Sequence, residues 1–184
     1  MKHHEFLNLN FGPLREDIDP FEYLTKLHPM PGIKKINMAD VNPKIIDFLN
    51  QFNLKIELVE SFSRHWGTIS PPHIDVEPGD LSKINWVYGG KNSTMNWFEL
   101  KPGCSLNKNF TSIGTPYYSA ELYDVNQIDY CELVKPTLVQ VGVLHNITNP
   151  TEHRFCVSVC MVDQQNQRIG FSKALEIFRD FIAQ

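Results

Sequence analysis

The chain has 184 residues, 42% hydrophobic and 21% charged, with 17 lysines and arginines against 21 acidic residues and a net charge of −4. That usage excludes wholesale disorder, collagen and coiled coil, and the length is that of one domain. The net acidity gives no reason to expect nucleic acid or an anionic membrane as a partner. No apolar run approaches the ~18 residues of a membrane span. The opening MKHHEFLNLNFG lacks the apolar stretch of a signal peptide, so a cytoplasmic protein is expected.

In chain order, His3-His4-Glu5 sits at a terminus expected to fray. Asp19-Pro20 opens a short helix that stops before Pro29. Asn42-Pro43 repeats the start signal, and Ile45, Ile46, Phe48, Leu49 and Phe52 make the apolar stripe of a helix over 43–52. At Leu54 the period changes to two, with Leu54, Ile56 and Leu58 alternating with Lys55 and Glu57. Further strands are expected at 65–70, 83–89, 94–100, 137–144 and 154–162, with weaker ones around 118–123 and 130–134. Turn signals separate them at Glu77-Pro78-Gly79-Asp80, Gly89-Gly90-Lys91-Asn92 and Lys101-Pro102-Gly103. Ser172 reads as the cap of a last helix over 173–183, buried through Leu175, Phe178, Phe181 and Ile182. Many short strands predict a β-sandwich or barrel over 54–162, with residues 1–53 as a helical cover and the helix of 163–184 packed outside.

The cysteines, Cys104, Cys131, Cys156 and Cys160, form no C-x-x-C pair. Cys156 and Cys160 share a predicted strand, where their Cα atoms would stand roughly 13 Å apart, beyond disulfide reach. Buried free thiols are expected.

His73-Ile74-Asp75 carries the first chemical signal. On a strand, residues i and i+2 share a face, so an imidazole and a carboxylate converge as two metal ligands must. The apolar run Thr137–Leu144 delivers His145 to its end, where a polar turn begins. Two histidines and a carboxylate form the facial triad of non-haem iron(II), which leaves coordination positions open. Arg154 starts the run RFCVSVCMV. Alternation puts Arg154, Cys156, Ser158 and Cys160 on one face and Phe155, Val157, Val159 and Met161 on the other. A buried Arg requires an anion, and its planar fork suits a carboxylate. Asn85 and Asn96 are polar residues within apolar strands and need partners if buried; a bound carboxylate or a metal-bound water would serve. His65 and His153 lie near these positions in sequence. Trp66, Trp86 and Trp97 fall in predicted strands, where core packing is the ordinary use and lining a substrate pocket the alternative.

His73, Asp75, His145 and Arg154, with the stretches TISPPHID, INWVYGG and KPTLVQVGVLHNITNPTEHRFCVSV, resemble the iron(II)- and 2-oxoglutarate-dependent oxygenases. The likeness is to short members related to the aspartyl/asparaginyl β-hydroxylases, including phage-encoded ones, and it covers about residues 60–162. It implies a mainly β fold, a double-stranded β-helix (jelly roll) core of the cupin-like kind. It implies His73, Asp75 and His145 as the catalytic iron(II) ligands, and Arg154, with Ser158 and Asn85, as the group holding 2-oxoglutarate. Some relatives carry an arginine where this chain has Asn85, and the family's Arg-x-Ser becomes Arg154 with Ser158. Asp75 is intact, so a halogenase is not indicated. The implied reaction consumes dioxygen and 2-oxoglutarate, hydroxylates a C–H bond of a small or peptidyl substrate, and releases succinate and carbon dioxide in the cytoplasm, or the host cytoplasm for a phage protein. Trp97, Tyr117 and Tyr118 are the expected substrate contacts, the latter two on a strand-poor loop over 104–118, with Lys108, Asn109 and Phe110, expected to close over the iron. The alternatives are a cupin-like metalloenzyme without 2-oxoglutarate, against which Arg154 speaks, and a metal-free binding or structural module, against which the intact triad speaks.

Overall fold

The computed structural model describes residues 2–111, 114–149 and 151–183. In chain order the strands are β1 (His4–Phe6), β2 (Gly32–Lys35), β3 (Lys55–Arg64), β4 (Thr68–Ile69), β5 (His73–Asp75), β6 (Ser82–Gly89), β7 (Thr94–Leu100), β8 (Asn107–Phe110), β9 (Pro116–Ser119), β10 (Val125–Cys131), β11 (Thr137–Gln140), β12 (His145–Asn149) and β13 (Arg154–Val162). The helices are α1 (Pro20–Leu27), α2 (Pro43–Asn50) and α3 (Phe171–Ile177). The protein is mainly β, built on two antiparallel sheets. One runs β1-β11-β6-β13-β3-β2, and the other β10-β7-β12-β5-β9-β8, with β4 pairing β12 as well. Among the described residues no helix is long and apolar enough to cross a membrane.

Strand β13 sits between β6 and β3 and is buried along its whole length. Its two faces divide as the alternation predicts. Phe155, Val157, Val159 and Met161 pack into the main core with Leu24 of α1 and Phe48 of α2. Arg154, Cys156 and Ser158 face a cavity that side chains from both sheets line. The sheets also meet through Met95, Trp97 and Cys131 of one and Val139 of the other. All four cysteines are free, and Cys104 is the one not fully buried.

Local chemistry starts the helices. Asp19 and Asn42 cap α1 and α2, accepting from the backbone N–H groups of Glu22 and Lys44, with Pro20 and Pro43 in the first turn. The last helix departs from expectation. It starts at Phe171, and Asp80 supplies the cap from a distant turn, accepting from Phe171 N at 3.0 Å and Ser172 N at 3.1 Å. Gly170 makes this approach possible, since a Cβ there would stand 2.6 Å from the Asp80 carbonyl oxygen. Phe178 is fully buried and stacks on Phe48 and against Phe52, with ring centroids 5.3 Å apart in each pair. Phe178→Ala should therefore cost about 3–5 kcal/mol, measured by chemical denaturation, through lost burial and the cavity left behind.

Four further expectations change. His3-His4-Glu5 is not frayed: β1 pairs with β11, and His3 and His4 are buried against the Trp97 ring. The first fifty-three residues are more than a helical cover, because β1 and β2 supply both edges of the first sheet. The strand expected over 65–70 contracts to β4. The loop over 104–118 is largely a hairpin, β8–β9, that extends the second sheet beside β5.

Candidate metal centre and its cavities

The run expected as one strand over 137–144 is broken after Gln140, where the chain leaves the first sheet and enters the second at His145. Gly142 sits in the crossing. A Cβ there would lie 2.1 Å from the carbonyl oxygen of Gly79, whose N–H donates to Gly142 O at 2.9 Å. His145 thus opens a strand instead of ending one. It stands in register with His73 of β5, the ring centroids 4.5 Å apart. Asp75 lies on the same side of β5 as His73, its N–H donating to Val141 O at 3.1 Å. One ligand atom from each of His73, Asp75 and His145 falls within 4.8 Å of the others.

The hydrogen bonds around these three prepare them to hold a cation. Nδ1 of His73 lies 3.0 Å from the Pro71 carbonyl oxygen, and Nδ1 of His145 lies 2.9 Å from that of Val143. A carbonyl only accepts, so both protons sit on Nδ1 and both Nε2 lone pairs are free. These Nε2 atoms stand 3.7 and 3.9 Å from Asp75 Oδ1. The other oxygen, Oδ2, is taken by Lys83 Nζ at 2.8 Å, and Lys83 is held from behind by Glu60 at 3.1 Å. Burial alone would raise the Asp75 carboxyl, but the Lys83 ammonium and then the two imidazoles outweigh it and hold the group well below the usual range. Asp75 therefore presents one ionised oxygen to the histidines.

Burial pushes His145 down to about 4, and the neighbouring His73 adds to the effect. Burial likewise lowers His73, His4 and His28. A depressed folded-state value means that the stability is present above the unfolded value near 6.5 and is lost as the pH falls through the folded one. The metal-free protein should accordingly lose stability steadily from pH 6.5 downward, with His145 alone withdrawing about 3 kcal/mol by pH 4. Denaturant midpoints across that range check the slope, and His145→Gln should flatten it.

Val76 follows Asp75 with φ +65°, and Glu77 N–H donates to Asp75 O at 2.8 Å, which closes a γ-turn. A β-branched residue in this region is strained, by about 1–3 kcal/mol.

The cavity between the sheets has His73, Asp75 and His145 on one wall and Asn85, Arg154 and Ser158 on the other. Arg154 is 3% exposed, and its Nε is buried with no hydrogen-bond partner among the described residues. Gly90 leaves room for its stem, since a Cβ there would lie 2.6 Å from Arg154 Cβ and Cγ. Ser158 Oγ donates to Asn85 Oδ1 at 2.5 Å, so these two residues, register partners on β13 and β6, form one polar unit. A larger cavity of about 510 Å³ opens beyond His73 and Asp75, lined among others by Ile33, Phe62, Arg64, Phe110 and Tyr117.

Other expected positions fall elsewhere. Trp97 is fully buried in the inter-sheet core, its indole N–H donating to Gln140 O at 2.8 Å, and it lines neither cavity. Its register partner is His145, but the indole is claimed by the N-terminal histidines and the core. Tyr118 pairs with Ile74 and packs with the Phe98 cluster, on the face of the sheet away from the ligands. Its neighbour Tyr117, opposite Asp75, lies on the ligand face with its ring 6.4 Å from that of His73. Lys108 lies over the Phe110 and Tyr118 rings. Asn96 needs no ligand, because its amide donates to Asn146 Oδ1 at 2.9 Å. His153 meets Ser63 Oγ at 2.8 Å, and His65 lines the larger cavity.

Three participants carry weak sequence signals. Lys83 is a lone cation in an otherwise apolar strand, two residues before Asn85. Glu60 and Arg64 lie beyond 54–58, where the clear alternation stops, and only the register with β13 brings them inward. No protein-family model matches the chain, and no curated protein matches it.

Proposed function

We propose that the protein is an iron(II)- and 2-oxoglutarate-dependent oxygenase whose paired sheets form a double-stranded β-helix. The carrying observation is the pairing, across one cavity, of a two-histidine, one-carboxylate donor set with a buried guanidinium whose Nε lacks a partner. Neutral imidazoles with free Nε2 atoms and one ionised oxygen suit iron(II) in a facial arrangement. The Arg154 fork suits the distal carboxylate of 2-oxoglutarate. With both bound, dioxygen supplies oxidative decarboxylation of 2-oxoglutarate to succinate and carbon dioxide, and one oxygen atom is inserted into a substrate C–H bond.

The chain's own residues position and protect. Lys83 fixes the rotation of the Asp75 carboxylate, and the Pro71 and Val143 carbonyls fix the imidazole tautomers. Ser158 and Asn85 present a polar wall beside Arg154. Phe62, Met95 and Ile147 supply apolar wall that excludes water. The β8–β9 hairpin brings Phe110 and Tyr117 to the outer cavity, where a substrate would enter. Anaerobic titration of the protein with iron(II) and then 2-oxoglutarate tests the reading. The expected result is the visible charge-transfer band of the chelate; its absence with iron bound would remove 2-oxoglutarate from the proposal.

A further inference from the structure

Arg154 and Arg64 are register partners on neighbouring antiparallel strands, so both side chains leave the same face of the first sheet. Burial lowers the guanidinium pKa of each, and for Arg64 the charge of Arg154 lowers it further. Two like charges side by side in a desolvated site are held there at an electrostatic cost. Of these two cavities, Arg154 borders the inner one among the described residues, whereas Arg64 borders both. Among the described residues lining the outer cavity Asp75 is the one acidic side chain, and Lys83 already holds it. Around Arg64 that cavity offers Tyr117 and an apolar wall of Ile33, Phe62 and Phe110. A guanidinium has five N–H donors in a planar fork, so Arg64 can keep a protein partner and still take a carboxylate.

We infer that Arg64 is a specificity-determining residue that anchors a carboxylate of the oxidised substrate. The substrate is then a small organic acid whose apolar body lies along Ile33, Phe62 and Phe110, with a C–H bond presented at the His73 and Asp75 edge. This rests on the proposed oxygenase reading and deepens it by naming the class of substrate. Arg154 and Arg64 divide the work, one for the co-substrate and one for the substrate, which accounts for a second, half-buried arginine next to the buried one.

The test is calorimetric and independent of turnover. Protein loaded with manganese(II) and saturated with 2-oxoglutarate is titrated with the common L-amino acids, short monocarboxylic acids and the matching carboxamides. At least one acid should bind, and its carboxamide should bind at least roughly tenfold more weakly, as expected for loss of a charge-assisted pair. Arg64→Gln should weaken that acid by a similar factor while leaving metal content unchanged and affecting 2-oxoglutarate less than it affects the acid. Arg64→Lys, which keeps the charge and loses the fork, should fall between, and it serves if the glutamine variant fails to fold. Equal binding of acids and carboxamides, no binding of any acid, or a larger loss for 2-oxoglutarate than for the acid in the Arg64 variants would overturn the inference. Failure of the wild type to take up 2-oxoglutarate would instead overturn the oxygenase reading. The acid and carboxamide series, repeated with metal alone, would still read Arg64.

Discussion

Replacing His145 by alanine should abolish stoichiometric metal binding. The wild type should hold one divalent first-row ion per chain, and His73→Ala should fail in the same way. The loss should exceed the ~100-fold that removal of a supporting outer hydrogen bond costs a metal site, because a ligand itself is removed. Removing either imidazole also leaves the Asp75 oxygen facing a gap beside the Lys83 ammonium, which then competes for it without opposition. Equilibrium dialysis followed by elemental analysis measures the occupancy. Equal occupancy in wild type and both variants would discard the triad. A circular dichroism spectrum separates site loss from unfolding, since the imidazoles lie beside the cavity while the main core is formed elsewhere, around β13 and the helices.

Arg154→Ala should separate the two ligands of the site. Metal occupancy should stay at the wild-type level, because Arg154 is on β13 and none of His73, Asp75 and His145 is. Affinity for 2-oxoglutarate should drop by roughly two to three and a half orders of magnitude, since a carboxylate left unpaired in a buried site costs about 3–5 kcal/mol. Ser158 and Asn85 are satisfied by each other and cannot replace the lost charge. Isothermal titration with 2-oxoglutarate on the manganese(II)-loaded variant reads the effect directly. Succinate formation at an unchanged Michaelis constant would show that another group holds the co-substrate.

How much of this could be read in the sequence depended on how local its cause was. The strands 94–100 and 154–162 were legible to the residue, because turn signals bound the first at Asn92 and at Lys101-Pro102-Gly103, and polar and apolar residues alternate along the second. His73 and Asp75 were legible because i and i+2 must share a face. Helix starts marked by Asp-Pro and Asn-Pro were legible too. What failed was set by distant contacts. The cap of α3 comes from Asp80, some ninety residues away, so Ser172 looked like the best local donor. The apolar run over 137–144 reads as one strand because both its halves are buried, one in each sheet, and only the Gly142–Gly79 contact reveals the crossing. His3 and His4 looked frayed because their partner Trp97 is far along the chain. Trp97 was assigned to substrate on residue type and Tyr118 on its place in the loop over 104–118, whereas register turns Tyr118 to the face away from His73 and Asp75 and the N-terminal strand claims Trp97. Lys83 was invisible as a support for Asp75 because the sequence does not place β6 across the sandwich from β5.

Under the proposed function, the γ-turn at Val76 sets how fast a metal would load. A site that gathers its ligands only when the ion arrives must reorganise during binding, and that step limits the observed rate. Here the strained residue, the Val141 carbonyl and Lys83 hold the Asp75 backbone and carboxylate in place before any ion is present. The cost of arranging the carboxylate falls on the folding equilibrium and not on the binding step. Stopped-flow mixing with manganese(II) should therefore give a single phase whose rate rises linearly with metal concentration and shows no plateau. Val76→Gly, which relaxes the turn, should raise thermal stability while slowing that association, so that fold stability and loading speed move in opposite directions.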